Sequence, residues 1–186
     1  MAWTTLREHG LTGLLGGIAT QLIATEAMHH QLGWDRNAPS LYRVFSRNTP
    51  ERCWVEQLPL DRHPARLCAE LDQLRDTEPD ITQHRAWPPV AHILVLEGWS
   101  REYRADSVDQ AERLRAARDH ADLPGSVEVR EAVAVTEDRQ LQLHRQRGCR
   151  PLFSCRSLAE EPGVHLAGDL LARLRVLHCS TIAVPS

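Results

Sequence analysis

The stretch Val127-Glu-Val-Arg-Glu-Ala-Val-Ala-Val135, followed after three residues by Arg139-Gln-Leu-Gln-Leu-His144, decides the fold. Apolar residues recur at every second position along most of both segments, and this period of two is typical of β-strands. The intervening pair Glu137-Asp138 includes an aspartate, a residue that favours turns. We therefore predict an antiparallel hairpin between segments 127–135 and 139–145.

Three further segments are predicted to be strands. Segment 41–47 alternates, and segment 53–58 follows it after the turn-forming residues Asn48-Thr-Pro-Glu51, so these two predict another hairpin. Segment 90–96 is continuously apolar, short and rich in β-branched residues. Such a run after two prolines favours a central strand.

Apolar residues recur at helical spacing in the other parts of the chain. Helices are expected at about 4–32, 61–76, 107–120 and 164–178, the last with a leucine stripe that includes Leu170 and Leu174. We interpret the apolar residues 11–24 as part of the first helix rather than as a signal peptide. The polar, proline-bounded segment 77–89 is expected to be a loop, and segment 181–184 is a candidate for pairing with a sheet edge.

The order of these elements predicts one α+β domain over residues 1–186. Hairpins and helices are mixed along the chain, a pattern that favours a largely antiparallel sheet. We expect about five strands, packed by N-terminal, middle and C-terminal helices. At 186 residues the chain is long enough to bury a core of its own.

Composition bears on origin and compartment. All 22 basic residues are arginine, and because lysine codons are AT-rich we infer a high-GC bacterium, an actinobacterium above all, or its phage. The net charge of −3 provides no overall field that would attract nucleic acid or an anionic membrane. No stretch reaches the ~20 apolar residues of a membrane span. Five cysteines without a paired motif suggest reduced thiols and a cytoplasmic location.

Glu97 is the candidate catalytic residue. It ends the predicted central strand beside Trp99, and a glutamate near an aromatic ring at a strand end is a possible acid or base. His92 has the opposite strand parity, so we expect it on the other face of the sheet. An enzyme would therefore need a pocket that joins Glu97 to a second titratable group.

The arginine-rich segment 139–156, which begins in the second strand of the predicted 127–145 hairpin, is the candidate anion-binding or partner-binding surface. It contains no acidic residue, and arginine can bind phosphate or carboxylate groups in a bidentate manner. Either the arginines bind nucleic acid or a protein partner, or they are a solvated hairpin end paired with the acidic segment 106–122. The residues are Arg139, Arg145, Arg147, Arg150 and Arg156.

We expect no metal and no cofactor. The spacing of the four potential zinc ligands Cys149, Cys155, His178 and Cys179 differs from that of closed zinc knuckles. Glu26 and His29 form a Glu-x-x-His pair, but di-iron helical bundles need two such pairs. Both patterns are therefore interpreted as structural, and we expect the protein to fold without metal.

Segment 93–99, with its Glu97-Gly-Trp99, and segment 127–139, which ends in Glu137-Asp-Arg139, resemble a group of actinobacterial and phage proteins of unknown function. These proteins have a similar Glu-small-Trp sequence, followed by an Arg-Glu strand that ends in Glu-Asp-Arg. The resemblance lies within residues 93–139, about a quarter of the chain, and it implies no activity.

The sequence therefore favours a non-catalytic protein-interaction or accessory protein. The chain has five tryptophans, among them Trp99, and all of its basic residues are arginines. Tryptophan and arginine are residue types that protein interfaces favour. The expected partner is another protein or a second copy, with no membrane contact. The first alternative is a small enzyme with an acid/base site near Glu97. The second is a nucleic-acid-binding module that uses the arginines of segment 139–156.

Overall fold

A computed structural model confirms the α+β class and contains a six-stranded antiparallel sheet. It describes residues 10–34, 38–47, 49, 51–60, 66–82, 87–100, 125–158 and 168–182. The helices are α1 (Gly13–Gln31), α2 (Leu67–Thr82) and α3 (Gly168–Ile182). The strands are β1 (Ser40–Ser46), β2 (Cys53–Leu58), β3 (Ala91–Ser100), β4 (Val127–Val135), β5 (Arg139–Gln146) and β6 (Leu152–Ser157).

The strands lie in the order β2-β1-β3-β4-β5-β6, and each one pairs antiparallel with its neighbours. The predicted hairpin is confirmed, because Ala132 of β4 lies opposite Leu143 of β5. Its turn is held by Thr136, whose Oγ1 accepts a hydrogen bond from the backbone N–H of Arg139 at 2.9 Å. The chain thus places β3 and β4 at the centre, with β2 and β6 at the edges of the sheet.

Helices cover both faces of the sheet, so β4 is buried along most of its length. Helix α1 packs through Ile18 and Leu22 against one face, which we call the α1 face. Ile93, Ala132 and Leu141 belong to this core cluster. Because both faces are covered, β4 is apolar in both rows, with Ala132 and Ala134 on the α1 face and Val133 and Val135 on the opposite face.

Helices α2 and α3 pack on the opposite face, which we call the α3 face. Leu174 and Leu177 of α3 are completely buried there, and Leu71 of α2 joins them. Strand residues of the opposite parity, such as Leu94 and Val133, complete this second core cluster. The expected burial of the C-terminal leucine stripe is therefore confirmed.

Strand β6 was not expected from the sequence. It pairs with β5 after a turn at Gly148, whose φ of +82° favours glycine. The sequence of β6 lacks a clear alternation because it is an edge strand, with Leu152 and Ser154 exposed. Its identity depends on hydrogen bonds to β5, which periodicity does not reveal.

Three helix boundaries differ from expectation. Helix α1 begins at Gly13, after a residue with positive φ at Gly10, and residues 1–9 lie outside the described part. Helix α2 extends to Thr82, so the predicted loop at 77–89 is wrong over its first half. Helix α3 continues to Ile182, so residues 181 and 182 are helical rather than paired with a sheet edge. The expected helix at 107–120 lies outside the described residues.

In the part of the chain that the structure describes, no helix combines the length and the apolar character needed to cross a membrane.

Candidate functional site

A cleft of about 980 Å³ opens between the C-terminal end of α1 and strands β1 to β3. Glu97 lies in its wall, together with His29 and Tyr42. The other described lining residues are Met28, Leu32, Ala38, Pro39, Ser40, Gln57, Leu58, Pro59 and Leu60. The structure therefore joins Glu97 to a second titratable group, as the enzyme alternative requires.

Tyr42 is the centre of a short chain of hydrogen bonds in the cleft. Its hydroxyl lies 2.9 Å from Nε2 of His29 and also bonds to the Ser40 side chain. Burial raises the pKa of Tyr42, and the hydrogen bond with Ser40 partly offsets this effect. Helix α1 supplies His29 and β1 supplies the other two groups, because Ser40 and Tyr42 share one strand parity. The chain of hydrogen bonds thus depends on the contact between helix and sheet.

Glu97 is not a lone carboxylate. Its Oε1 accepts hydrogen bonds from Nε of Arg130, at 2.8 Å, and from Nη2 of Arg130. The side chain of Arg130 is completely buried and that of Glu97 is 5 % exposed. A buried charge needs a partner of the opposite sign, so Glu97 has a structural role as the partner of Arg130.

Arg130 also ties the end of α1 to the sheet. Its Nη2 donates to the carbonyl oxygen of Gly33 at 2.7 Å, and its guanidinium lies 4.5 Å from the ring centre of Trp34. Its Nη1 is 3.6 Å from Oε1 of Glu26. Strand β4 thus positions Arg130 beneath the end of α1, beside the cleft.

Arg145 closes this buried ionic cluster. It donates from Nε and Nη2 to the two carboxylate oxygens of Glu26, at 2.6 and 2.7 Å. Two arginines and two glutamates, namely Arg130, Arg145, Glu26 and Glu97, therefore lie together with balanced charge. The balance means that the cluster presents no net positive or negative charge to the cleft.

The predicted arginine surface is divided by the sheet. Arg139, Arg145 and Arg147 share the strand parity of the α1 face, whereas Arg156 has the opposite parity and donates to Gln140. Arg147 forms an ion pair with Glu128 at 2.7 Å, and Arg150 is exposed in the turn after β5. The five residues do not form one continuous face, and the acidic segment 106–122 lies outside the described residues.

Trp99 lies near the end of β3 opposite Glu128 and is 44 % exposed. It has the same parity as Glu97, but it is not among the residues that line the cleft.

As for metal, no group of three or more His, Cys, Asp or Glu residues is placed to hold an ion in the described ranges. Cys149 and Cys179 are exposed at separate places, and Glu26 binds arginine.

His92 and His178 form a buried pair on the α3 face, so the expected separation of His92 from Glu97 is confirmed. Their Nδ1 atoms are 3.1 Å apart. Burial lowers the pKa of His92 well below its usual value, and the charges of His178 and Arg43 lower it further. Burial also lowers the pKa of His178 to about 4. Arg43 of β1, which is paired with Glu56 of β2, is the charged neighbour in this row.

The histidine pair predicts a loss of stability in mild acid. The folded protein keeps His178 neutral down to about pH 4, whereas the unfolded chain binds a proton below about pH 6.5. Unfolding is therefore favoured as the pH falls through this window. His178 alone accounts for about 3 kcal/mol over the whole window, at 1.36 kcal/mol for each pKa unit.

Urea unfolding at several pH values measures this effect. The variant His178→Gln should show a shallower decline of the unfolding free energy between about pH 6.5 and pH 4. His30→Gln is the control, because His30 is exposed on α1. Equal slopes for the wild type and His178→Gln would contradict the prediction.

Sequence reasoning missed His29, Tyr42 and Arg130 as members of a site. His29 was considered only as a metal ligand with Glu26, and Tyr42 only as an alternating strand residue. Arg130 had a detectable signal, since it shares the parity of Ala132 and Ala134 and so places a charge on a core-facing row. What it binds could not be found without the tertiary contacts.

Comparison with models of protein families finds no match, and no curated protein or solved structure is significantly similar to this chain.

Proposed function

We propose that this protein is a non-catalytic interaction protein that associates with a second copy of itself through the outer side of α1. The observation that carries the proposal is the absence of charge on that side. The exposed residues of α1 are Leu14, Ala24, Met28, His30 and Gln31, none of which is Asp, Glu or Arg. The one acidic residue of α1, Glu26, is buried.

The apolar character of this surface continues past the helix. Leu14, Met28 and Leu32 are 37 %, 43 % and 47 % exposed, respectively. Three of the five exposed residues of α1 are apolar, and apolar residues on the outer as well as the inner side are typical of a helix that is covered on both sides. Among the described elements, α1 packs only against strands of the sheet.

A second copy suits this surface because a twofold interface brings the same residues of both chains together. A charged patch would repel itself in that arrangement, whereas an uncharged patch does not. These features favour association between two α1 helices.

Analytical ultracentrifugation of the wild type and two arginine variants tests the proposal. We expect a dimer for the wild type and a monomer for Ala24→Arg, because the substitution places like charges opposite each other at the interface. Ala172→Arg is the matched control, since Ala172 is exposed on α3, and it should remain dimeric. A monomeric wild type, or a dimeric Ala24→Arg variant, would overturn the proposal.

The enzyme alternative has one supporting observation, which is the presence of His29 and Tyr42 in the same cleft as Glu97. The pairing of Glu97 with Arg130 assigns that carboxylate to structure, so the alternative depends on His29 and Tyr42. The nucleic-acid alternative is weakened by the division of the arginines between two faces.

A further inference from the structure

The cleft between α1 and β1 to β3 has polar groups at its base. Ser40 and Tyr42 are 8 % and 4 % exposed, and the Glu97 side chain is 5 % exposed. All three lie on the α1 face of adjacent strands, because Ser40 pairs with Val95 and Glu97 follows two residues later. Polar groups that converge at the base of a cleft fix the orientation of a bound molecule.

Apolar side chains form a large part of the remaining wall. Met28 and Leu32 approach from α1. Leu58 and Leu60 at the end of β2 also line the cleft, although their side chains pack with the core cluster of the α3 face. A volume of about 980 Å³ is at the upper end of the range of small-molecule sites. A suitable occupant therefore has an apolar part and a hydrogen-bonding part.

Charge limits the occupant further. No arginine is among the described residues that line the cleft, and the chain contains no lysine. The carboxylate of Glu97 is neutralised by Arg130, so an ammonium group would compete with an existing buried ion pair. A carboxylate would find no arginine or lysine there and would have to compete with Tyr42 for the Nε2 of His29, and burial of an unpaired charge is costly.

We propose that this cleft is a binding site for an uncharged small molecule that combines an apolar ring or chain with an amide-like or hydroxyl group. The hydroxyl of Tyr42 and the amide of Gln57 bind the polar end. Gln57 is suited to this role because it lies opposite Tyr42 in the β1–β2 ladder. The polar base of the site is separate from Leu14 and Ala24 of α1, whereas Met28 and Leu32 belong both to the cleft wall and to the outer surface of α1. We therefore expect binding in the monomer as well.

Three ring compounds of similar shape test the proposal: benzamide is neutral, benzoate is anionic and benzylammonium is cationic. Titration of the isotope-labelled protein, followed by NMR, measures a Kd for each. We expect benzamide to shift resonances of Met28, Tyr42 and Gln57, with a Kd at least about tenfold lower than that of either ion. Absence of binding by benzamide, or tighter binding of either ion, would overturn the proposal.

Two substitutions within the cleft identify the binding groups. Gln57→Glu adds a carboxylate at an exposed position, so it should weaken benzamide binding and strengthen benzylammonium binding. Gln146→Glu is the matched control, because Gln146 is exposed at the end of β5, and it should bind like the wild type. Equal effects of the two variants would show that benzamide binds elsewhere and would overturn the proposal.

Tyr42→Phe removes one hydroxyl and should raise the Kd for benzamide by about fivefold to tenfold, which corresponds to the loss of one net hydrogen bond. Ala24→Arg should leave benzamide binding unchanged. The Ala24→Arg variant therefore tests the two proposals independently. Loss of the dimer supports self-association through α1, and retained benzamide binding supports the site in the cleft. An unchanged Kd for Tyr42→Phe would overturn the assigned site.

Discussion

Replacing Arg130 with methionine is expected to lower the free energy of unfolding by about 3–5 kcal/mol. Arg130 is completely buried and is the partner of Glu97, whose side chain is 5 % exposed. Methionine fills much of the same volume, but it removes the guanidinium that donates two hydrogen bonds to the buried carboxylate. Urea unfolding monitored by circular dichroism measures the loss, which is a large share of a typical stability of about 5–15 kcal/mol.

The control and the double variant separate buried charge from packing. Arg147→Met removes an ion pair with Glu128 in which the arginine side chain is 56 % exposed, so we expect a much smaller loss. Glu97→Gln combined with Arg130→Met replaces the buried carboxylate with a neutral amide, so the double variant should be more stable than Arg130→Met alone. A double variant that is less stable than this single one would contradict the explanation.

Leu174→Ala is expected to lower the unfolding free energy by about 2–5 kcal/mol. Leu174 has no exposed surface and belongs to the core cluster on the α3 face, with Leu41 and Leu94 from the sheet. Truncation removes buried apolar area and leaves a cavity that neighbouring side chains fill only partly. Thermal and urea unfolding measure the effect.

Val176→Ala is the matched control on the same helix. Val176 is 48 % exposed, so its truncation removes little buried area, and alanine has the higher helix propensity. We expect a change near zero. An unchanged stability for Leu174→Ala would contradict the assignment of α3 to the core.

Strands with a clear period of two could be predicted from the sequence. The predicted β4–β5 and β1–β2 hairpins both appear in the sheet. The leucine stripe of α3 was equally clear, because its spacing alone requires one apolar side of a helix. Elements without such a period were missed or misjudged, namely the edge strand β6 and the second half of α2.

The candidate site was only partly predictable. Glu97 was singled out because the central strand was predicted to end there; that boundary is wrong, since β3 continues to Ser100, but Glu97 does line the cleft. Its partner Arg130 comes from the adjacent strand β4, and His29 comes from a helix that precedes both in sequence. Such pairings depend on strand order and helix placement, which one sequence does not specify.

The sequence by itself therefore determined the α+β class, the two hairpins and the leucine-rich face of the C-terminal helix, because short-range periodicity reports which side of an element is apolar. Only the tertiary structure decided that helices cover both faces of the sheet. It also decided that the arginines are divided between those faces and that Arg130 neutralises Glu97 beside the cleft. The physical reason is that the energy of a charge depends on burial and on its nearest partner. Both are set by contacts between residues far apart in the chain.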